Sequence, residues 1–470
     1  MAVAKPMPKA PEKPEDGWHE ARLIPTSGIG GQEEQEQRAT SSLLAVMRAV
    51  PEFGRALLFH AGAPAGRIRT FTEVQLPDGE ENVLRPDGAV LVERGRTRWS
   101  CLVEVKTGGT LLRADQIGRY LDLARSHGFD AVLTISNQIT SSPAESPVAV
   151  DGRRLKRVGL RHLSWWQVMT EARIQYVHRG ISDPDQQWIL GELIAYLDNE
   201  KSGAGGFDDM GDKWVTVRDA ARQRTLRAAD AGTKDIASRW EQFIHYLALG
   251  LRQDLGRDVV PVWPKKLDGG NRLDLRVRML VDRGRLEASI KVPDAAAPVD
   301  IEADLRTRQL TTSVEIGAPR EGRPKTRISW ILRQLKDAPD GLRVDVRFVN
   351  LKETTSMLLK EVRDKPDKLL LASDPKREPR AFRLALSKEM GTKRGKGAGS
   401  FVQETKQQTL DFYRVVVQQL RPWAPTPPKL PQAPDAGTAV ASPEPPDFSA
   451  PDARDPGDGV APEEASATAS

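Results

Sequence analysis

The stretch from Arg85 to Tyr120 constrains the fold more than any other part of the sequence. It contains two runs typical of β-strands, joined by a basic turn at Glu93–Arg98, and then a helical pattern. If the two strands pair through that turn, the beginning of the first lies beside the end of the second. Asp87 then lies near Glu104 and Lys106, which point to one face of their strand because side chains alternate.

Two carboxylates and an ammonium group at one edge of an apolar sheet form an oxygen-rich site suited to Mg²⁺ or Mn²⁺. The alternative is a Pro-Asp-Gly turn followed by a solvated surface pair. However, the run Leu102–Lys106 is apolar on both sides of Glu104 and is followed by Gly108 and Gly109. This pattern indicates a central strand that meets a loop, where charges are costly unless they are paired or bound to a metal ion.

The spacing of these residues forms a recognisable motif. The acids of Pro86–Asp87 and Glu104–Lys106 are 17 positions apart. Gln116 and Tyr120 follow on the predicted helix, four positions apart, and therefore share one helix face. This arrangement resembles the PD-(D/E)xK nuclease superfamily, and the helix pair resembles the QxxxY motif of its RecB-type members.

The resemblance implies an α/β protein with a restriction-endonuclease-like αβββαβ core and metal-dependent hydrolysis of phosphodiester bonds in DNA. Asp87 and Glu104 would hold one or two Mg²⁺ or Mn²⁺ ions, and the main-chain carbonyl of Val105 would be a further ligand. Lys106 would position the attacking water and stabilise charge on the phosphate. The two residues of the helix motif would order the metal site or the substrate backbone.

A further acid is expected from the first helix, predicted over Gln32–Val50. Glu36 shares a face with the apolar residues of this helix, and family members often carry a glutamate near the metal at this place. Glu33 and Glu34 are rival candidates. First-turn acids favoured by the helix dipole are an equally good interpretation of all three.

The composition predicts five segments: a disordered N-terminus (1–27), the nuclease-like domain (28–200), a linker (201–213), a helical segment with an α+β domain (214–421), and a disordered acidic Pro/Ala-rich tail (422–470). In the α+β domain we expect an antiparallel sheet. Its strands are predicted at 272–281, 286–292, 303–316 and 342–349, and its helices at 326–336 and 355–363.

The charge and the cysteine content of the chain indicate its cellular compartment and the kind of partner that it binds. The net charge is +5, and the acidic tail leaves a basic body that suits a nucleic-acid partner. A basic cluster at 153–161 precedes Trp165 and Trp166. It would either contact a phosphate backbone or form a charged strand beside a core tryptophan pair. The single Cys101 excludes a disulfide within the chain and, with no predicted membrane span or targeting segment, predicts a cytoplasmic protein.

Two functions of different classes therefore remain. The first is a metal-dependent deoxyribonuclease, with RNA still open as a substrate. The second is a non-catalytic adaptor that keeps the nuclease fold and binds nucleic acid or a protein partner, with residues 214–421 as the candidate surface for a protein partner. The chain as a whole is also similar in character to stress-response and phage-defence proteins of bacteria with GC-rich genomes, although no motif carries that similarity. Oligomeric state stays open.

Overall fold

The computed structural model describes residues 23–24, 28–79, 82–140, 145–263, 269–395 and 397–424, with only the backbone at 269–271. Most of the predicted disordered N-terminus (1–27) and tail (422–470) lies outside these residues. The chain divides into two units, residues 1–423 and residues 424–470. The first unit is a mixed α/β structure with two large sheets. Both regions predicted as domains, 28–200 and 214–421, belong to it, and the boundary between them stays a prediction.

The first region carries a five-stranded sheet in the order β1-β4-β5-β6-β7. Strands β1, β4 and β5 are antiparallel neighbours, whereas β5, β6 and β7 run parallel. The elements in chain order are α1 (Gln32–Ala49), α2 (Pro51–His60), β1 (Arg67–Thr72), β2 (Leu76–Asp78), β3 (Asn82–Leu84), β4 (Gly88–Arg94), β5 (Thr97–Val105), α3 (Ala114–Ser126), β6 (Ala131–Ser136), β7 (Gly159–Ser164), α4 (Trp165–Arg173) and α5 (Pro184–Asp198).

Both faces of this sheet are covered, because its strands alternate apolar side chains between two cores. Val103 and Val105 face the core formed with α1, α2, α4 and α5. Leu102 faces the opposite core, where Ile117 and Leu121 of α3 pack. A strand buried on both faces becomes a nearly continuous apolar run, which is why β5 was predicted from sequence. The predicted first helix (32–50) and the predicted helix that carries Gln116 and Tyr120 are confirmed as α1 and α3.

The second region carries a seven-stranded sheet in the order β13-β12-β14-β11-β10-β9-β8, and each neighbouring pair is antiparallel. The predicted antiparallel sheet is therefore confirmed. The elements are α6 (Trp214–Gln223), α7 (Ala231–Leu255), β8 (Val260–Val262), α8 (Gly269–Arg283), β9 (Arg285–Lys291), β10 (Val299–Asp304), β11 (Gln309–Gly317), α9 (Pro324–Gln334), β12 (Arg343–Phe348), β13 (Thr354–Leu358), α10 (Leu359–Val362), β14 (Pro379–Glu389) and α11 (Phe401–Val415).

The strand predicted at 272–281 is wrong, because this segment is the helix α8. The alternation of leucine and arginine that indicated a strand also satisfies a helical stripe. Val277 and Leu280 are buried, while Arg276 lies one turn after Arg272 and contacts Glu241 of α7 at 2.8 Å. A short run with both periodicities is decided by its tertiary partner, and α7 provides that partner here.

Two further predictions in this region need correction. The single strand predicted at 303–316 is a hairpin, in which β10 and β11 pair around a turn where Arg308 has φ 55°. The helix predicted at 355–363 begins as the strand β13, which pairs with β12, and only its last part is helical, as α10. The threonine-rich start of this segment suits a strand, since β-branched residues favour extended backbone.

The contact between α4 and α7 contains buried polar groups. Glu171 is 1% exposed, and its carboxylate lies 2.7 Å from Arg252 and 3.0 Å from His60. Burial disfavours its charge, yet His60 and Arg252 together lower the pKa of Glu171 below its ordinary value. The adjacent residues form a second contact, in which Gln253 donates to the hydroxyl of Thr170 at 2.7 Å. The first region is therefore joined to α7 by an ion pair and a hydrogen bond that exclude water.

The predicted basic cluster has a mixed structure. Residues 154–156 form one 3₁₀ turn, and β7 begins at Gly159. Trp165 is 1% exposed in the first core, and Trp166 packs on Tyr246 with ring centroids 4.6 Å apart, so the interpretation of both tryptophans as core residues is confirmed.

In the part of the chain that is described, every helix is too short or too polar to cross a membrane.

Candidate active site

The site lies at the edge of the first sheet where β4 begins and β5 ends. Gly88 pairs with Val103, so the residue before β4 stands opposite the residue after Val103. Asp87 and Glu104 are therefore neighbours, as the predicted hairpin requires. The Asp87 carboxylate also accepts a hydrogen bond of 2.7 Å from the backbone N–H of Val105, which fixes its position relative to the end of β5.

Glu104 is the most deeply buried acid of the site, with 1% of its surface exposed. Its Oε1 accepts from the Lys106 ammonium at 2.8 Å and from the Gln116 amide at 2.7 Å. The pKa of Glu104 is raised to about 7, chiefly by burial; the charge of Asp87 and a hydrogen bond shared with it act in the same direction, and Lys106 opposes them. Its second oxygen, Oε2, has no hydrogen-bond donor among the described residues.

Lys106 is held between three oxygens. Its Nζ lies 2.8 Å from Glu104, 3.2 Å from Oε2 of Glu36 and 3.0 Å from the carbonyl oxygen of Val105. Burial alone would lower the pKa of Lys106, but Glu104, Asp87 and Glu36 outweigh burial and raise it. The lysine is therefore a firmly protonated cation that neutralises the carboxylates around it.

Among the three candidate acids of the first helix, Glu36 is the one that contacts the site. Besides Lys106, it accepts a hydrogen bond of 3.4 Å from the backbone N–H of Thr107. Glu34 instead pairs with Arg38 at 2.9 Å on the helix surface, and Glu33 is exposed. The face shared by Glu36 with the buried residues of α1 turns it toward the sheet edge.

The predicted helix motif reaches the site from α3. The Gln116 amide nitrogen lies 3.3 Å from the Tyr120 hydroxyl as well as 2.7 Å from Glu104. Tyr120 in turn donates to the backbone carbonyl of Arg85 at 3.2 Å, two residues before Asp87. Burial and the charge of Glu104 raise the pKa of Tyr120, so its hydroxyl keeps its proton and acts as a donor. The motif thus ties the two acidic residues to one helix.

Sequence reasoning missed the contacts that hold the backbone after β5. Trp165, assigned to the core, also donates its indole N–H to the carbonyl of Lys106 at 2.9 Å. Gln32 donates to the carbonyl of Thr107 at 3.1 Å, and the Thr107 hydroxyl donates to Gln35 at 2.8 Å. The paired glutamines at the start of α1 were the available signal, but no local spacing links them to Thr107.

A groove of about 820 Å³ leads to Asp87 along α1. Its walls include Glu33, Arg38, Glu73 and Arg85. Glu73 closes β1 in a left-handed conformation, with φ 53°, and its N–H donates to the carbonyl of Asp87 at 3.2 Å. The groove therefore reaches Asp87, whereas Glu104 and Lys106 are not part of its lining.

The oxygen donors of the site can be compared with the ligands that a divalent cation requires. No group of three or more His, Cys, Asp or Glu side chains is arranged to hold a metal ion within the described residues. Asp87, Glu104 and the Val105 carbonyl nevertheless offer two carboxylates and a main-chain oxygen, the hard ligands that Mg²⁺ and Mn²⁺ prefer. The free Oε2 of buried Glu104 is an acceptor without a donor, which a cation would satisfy. The residues therefore fit such an ion.

No protein-family model matches the sequence, and a search of curated proteins finds no significant similarity.

Proposed function

We propose that this protein is a metal-dependent nuclease of the PD-(D/E)xK type that hydrolyses phosphodiester bonds in DNA. One observation carries the proposal: Asp87, Glu104 and Lys106 converge at one sheet edge, with the lysine ammonium 2.8 Å from Glu104 and Asp87 bound to the next residue, Val105. Buried carboxylates beside a lysine, at the end of a groove, form a constellation that structural stability alone does not require.

The order of elements supports a restriction-endonuclease-like core. Helix α1, strands β1, β4 and β5, helix α3 and strand β6 follow one another as αβββαβ, with the small hairpin β2–β3 and helix α2 as additions. The three strands form an antiparallel set, and β6 adds parallel to β5 after the α3 crossover. The site lies where β4 begins and β5 ends, as the motif requires.

Each residue has a distinct task in this proposal. Asp87, Glu104 and the carbonyl of Val105 would hold Mg²⁺ or Mn²⁺, which when bound lowers the pKa of a water and neutralises charge on phosphate. Lys106 orients the nucleophile or stabilises the phosphate oxygens. Gln116 keeps Glu104 in position through its 2.7 Å hydrogen bond. These outer contacts fix the orientation of the ligands.

Cleavage of circular single- and double-stranded DNA tests the proposal directly. The natural protein would be compared with Lys106→Ala and Glu104→Ala, with and without Mg²⁺ or Mn²⁺. Glu302→Ala is the matched control, because Glu302 lies in β10, pairs with Arg285 at 3.3 Å and belongs to the second sheet. Metal-dependent nicking lost in the first two variants and kept in the third is the expected result. Activity that survives both site substitutions would remove the catalytic assignment.

A specific observation favours the adaptor as the second candidate. The Lys106 ammonium contacts Glu104, Glu36 and the Val105 carbonyl at once, so part of the negative charge of the site is already offset without a metal ion. A protein that only binds nucleic acid could retain this arrangement as a structural ion cluster. Calorimetric titration with Mn²⁺ separates the two functions: DNA binding without measurable Mn²⁺ binding or cleavage supports the adaptor.

A further inference from the structure

Basic side chains gather at the end of the first sheet that lies opposite the candidate active site. The hairpin between β4 and β5 turns through Gly95 and Arg96, and Gly95 has φ 60°. Glycine at the first central position of a two-residue turn is the choice that matches strand twist. This turn presents Arg94, Arg96 and Arg98 to solvent, and all three are exposed.

The approach to β7 brings three more bases to the same edge. Asp130 joins the two segments: its N–H donates to the carbonyl of Ser100 at 2.9 Å, and its own carbonyl accepts from the N–H of Gly159 at 2.8 Å. The residues that precede Gly159 and those that precede Ser100 therefore lie at the same end of the sheet, on either side of the start of β6. Exposed bases in both segments form one surface, which we call the basic pole: Arg94, Arg96, Arg98, Arg153, Lys156 and Arg157.

The basic pole has more positive charge than its neighbours neutralise. Arg98 lies 3.7 Å from Glu93, and Arg153 lies 3.0 Å from Asp151. The other four bases form no ion pair with the described residues. Several outward charges of the second sheet are paired between strands, as in Arg347–Glu315 at 3.0 Å, whereas three arginines around α9 are exposed like those of the pole. The basic pole therefore carries an excess of positive charge at this end of the first sheet.

Arginine at high density without carboxylate partners is suited to phosphate. Its planar guanidinium donates two parallel hydrogen bonds to a phosphate group and stays charged at every physiological pH. A surface of exposed arginines attracts a polyanion over a long range and reads its backbone rather than its base edges. Charge complementarity therefore points to the sugar–phosphate backbone of a nucleic acid as the occupant.

The distance between the basic pole and the candidate active site sets the geometry of such binding. Arg98 and Lys106 stand at opposite ends of β5, eight positions apart, which corresponds to about 26 Å at about 3.3 Å per residue. A nucleic acid at the basic pole is held about eight base pairs from the scissile position, since each pair rises about 3.4 Å. The pole is therefore separate from the catalytic edge.

We propose that the basic pole binds the phosphate backbone of nucleic acid outside the candidate active site and so tethers the substrate to the first sheet. The proposal rests on the proposed nucleic-acid substrate but requires no cleavage. The tether would raise affinity without regard to sequence, and its contribution would fall steeply with salt.

Fluorescence anisotropy with a labelled duplex of about 30 base pairs, in excess chelator, tests the tether without catalysis. The test variant is R94Q/R96Q/R157Q in the full chain, and the matched control is R320Q/R323Q/R333Q, three exposed arginines around α9. Each lost phosphate contact removes about 0.9 from the slope of log affinity against log salt. After three lost contacts, the ratio of natural to variant affinity is therefore about 40-fold larger at 50 mM salt than at 200 mM salt.

The expected result is this loss in the pole variant alone, with the slope restored in R94K/R96K/R157K, which keeps the charge. If the pole variant keeps the affinity and the salt slope of the natural protein, the tether is refuted. Equal losses in the pole variant and the α9 control would also overturn it, since binding would then follow net charge. The nuclease proposal can fail separately from the tether. If the pole variant binds DNA more weakly but the natural protein does not cleave DNA, the nuclease proposal is refuted and the tether is retained.

Discussion

Replacing Lys106 by methionine removes the cation of the candidate site while nearly preserving side-chain volume. The ammonium lies 2.8 Å from Glu104 and 3.2 Å from Glu36, and Glu104 is 1% exposed. Methionine leaves the Glu104 carboxylate buried beside Asp87 without its counter-charge. Breaking a buried ion pair in this way costs about 3–5 kcal/mol. We expect a loss of this size in the free energy of unfolding above about pH 8.

The loss should depend on pH because the pKa of Glu104 is about 7 in the folded protein, above its ordinary value of 4.5. Between these values the folded protein binds a proton that the unfolded chain has released, so its stability falls as pH rises through this window. Lys106 lowers the pKa of Glu104, and its removal extends the window upward. Near pH 5.5 Glu104 is protonated in both proteins, and the cost shrinks to about 1–1.5 kcal/mol, the value of a hydrogen bond.

Urea unfolding followed by tryptophan fluorescence at about pH 5.5 and pH 8.5 measures both values. Lys325→Met is the control, since Lys325 pairs with Asp367 at 2.7 Å with both side chains more than half exposed; its cost should stay below about 1 kcal/mol at either pH. The double variant Glu104→Gln/Lys106→Met should lose the pH dependence. Equal destabilisation of Lys106→Met at both pH values would refute the reasoning from a buried charge.

Three other outcomes follow from the same geometry. Gln116→Leu removes the donor 2.7 Å from Glu104, so cleavage should fall about 10- to 100-fold with little change in stability; an unchanged rate would contradict its positioning role. Protons compete with metal for Glu104, so the apparent Mn²⁺ affinity measured by calorimetry should rise about tenfold per pH unit below about pH 7 and then level off, and a flat profile would exclude Glu104 as a ligand. Gly54→Ala places a Cβ 2.2 Å from the carbonyl oxygen of Met47 and should lower the free energy of unfolding by about 1–3 kcal/mol. Gly250→Ala, in open space on α7, should raise it by about 0.5–1 kcal/mol. Thermal unfolding distinguishes the two variants, and equal midpoints would contradict the packing argument.

The positions of Asp87 and Glu104 were predictable because they follow from local rules. A hairpin with a short turn fixes its register, and the alternation of side chains then decides which residues meet. The preference for Glu36 over Glu33 and Glu34 followed from helical spacing against the apolar stripe of α1. These inferences use at most a few neighbouring elements, and the structure places the residues accordingly.

Other features depended on contacts between distant segments. The alternating leucines of α8 fit a strand and a helix equally well, and packing against α7 decided between them. The hydrogen bond from Trp165 to the Lys106 carbonyl joins residues 59 positions apart, and no pattern in either segment indicates it. Local periodicity identifies elements, whereas pairings across the sequence require the folded chain.

The buried Glu171 has a consequence for how the chain can be divided. Its partner Arg252 comes from α7, beyond the predicted linker, so a fragment ending near residue 200 would keep the carboxylate and lose that guanidinium. The exposed face of α4 would also carry the Thr170 hydroxyl, which would keep its bond to the Trp166 carbonyl but lose its donor Gln253. The linker at 201–213 therefore marks a change in composition, but buried contacts between the segments before and after it stabilise both. The residues after it complete the buried contacts of the part that carries the candidate site, so the two parts form one folding unit.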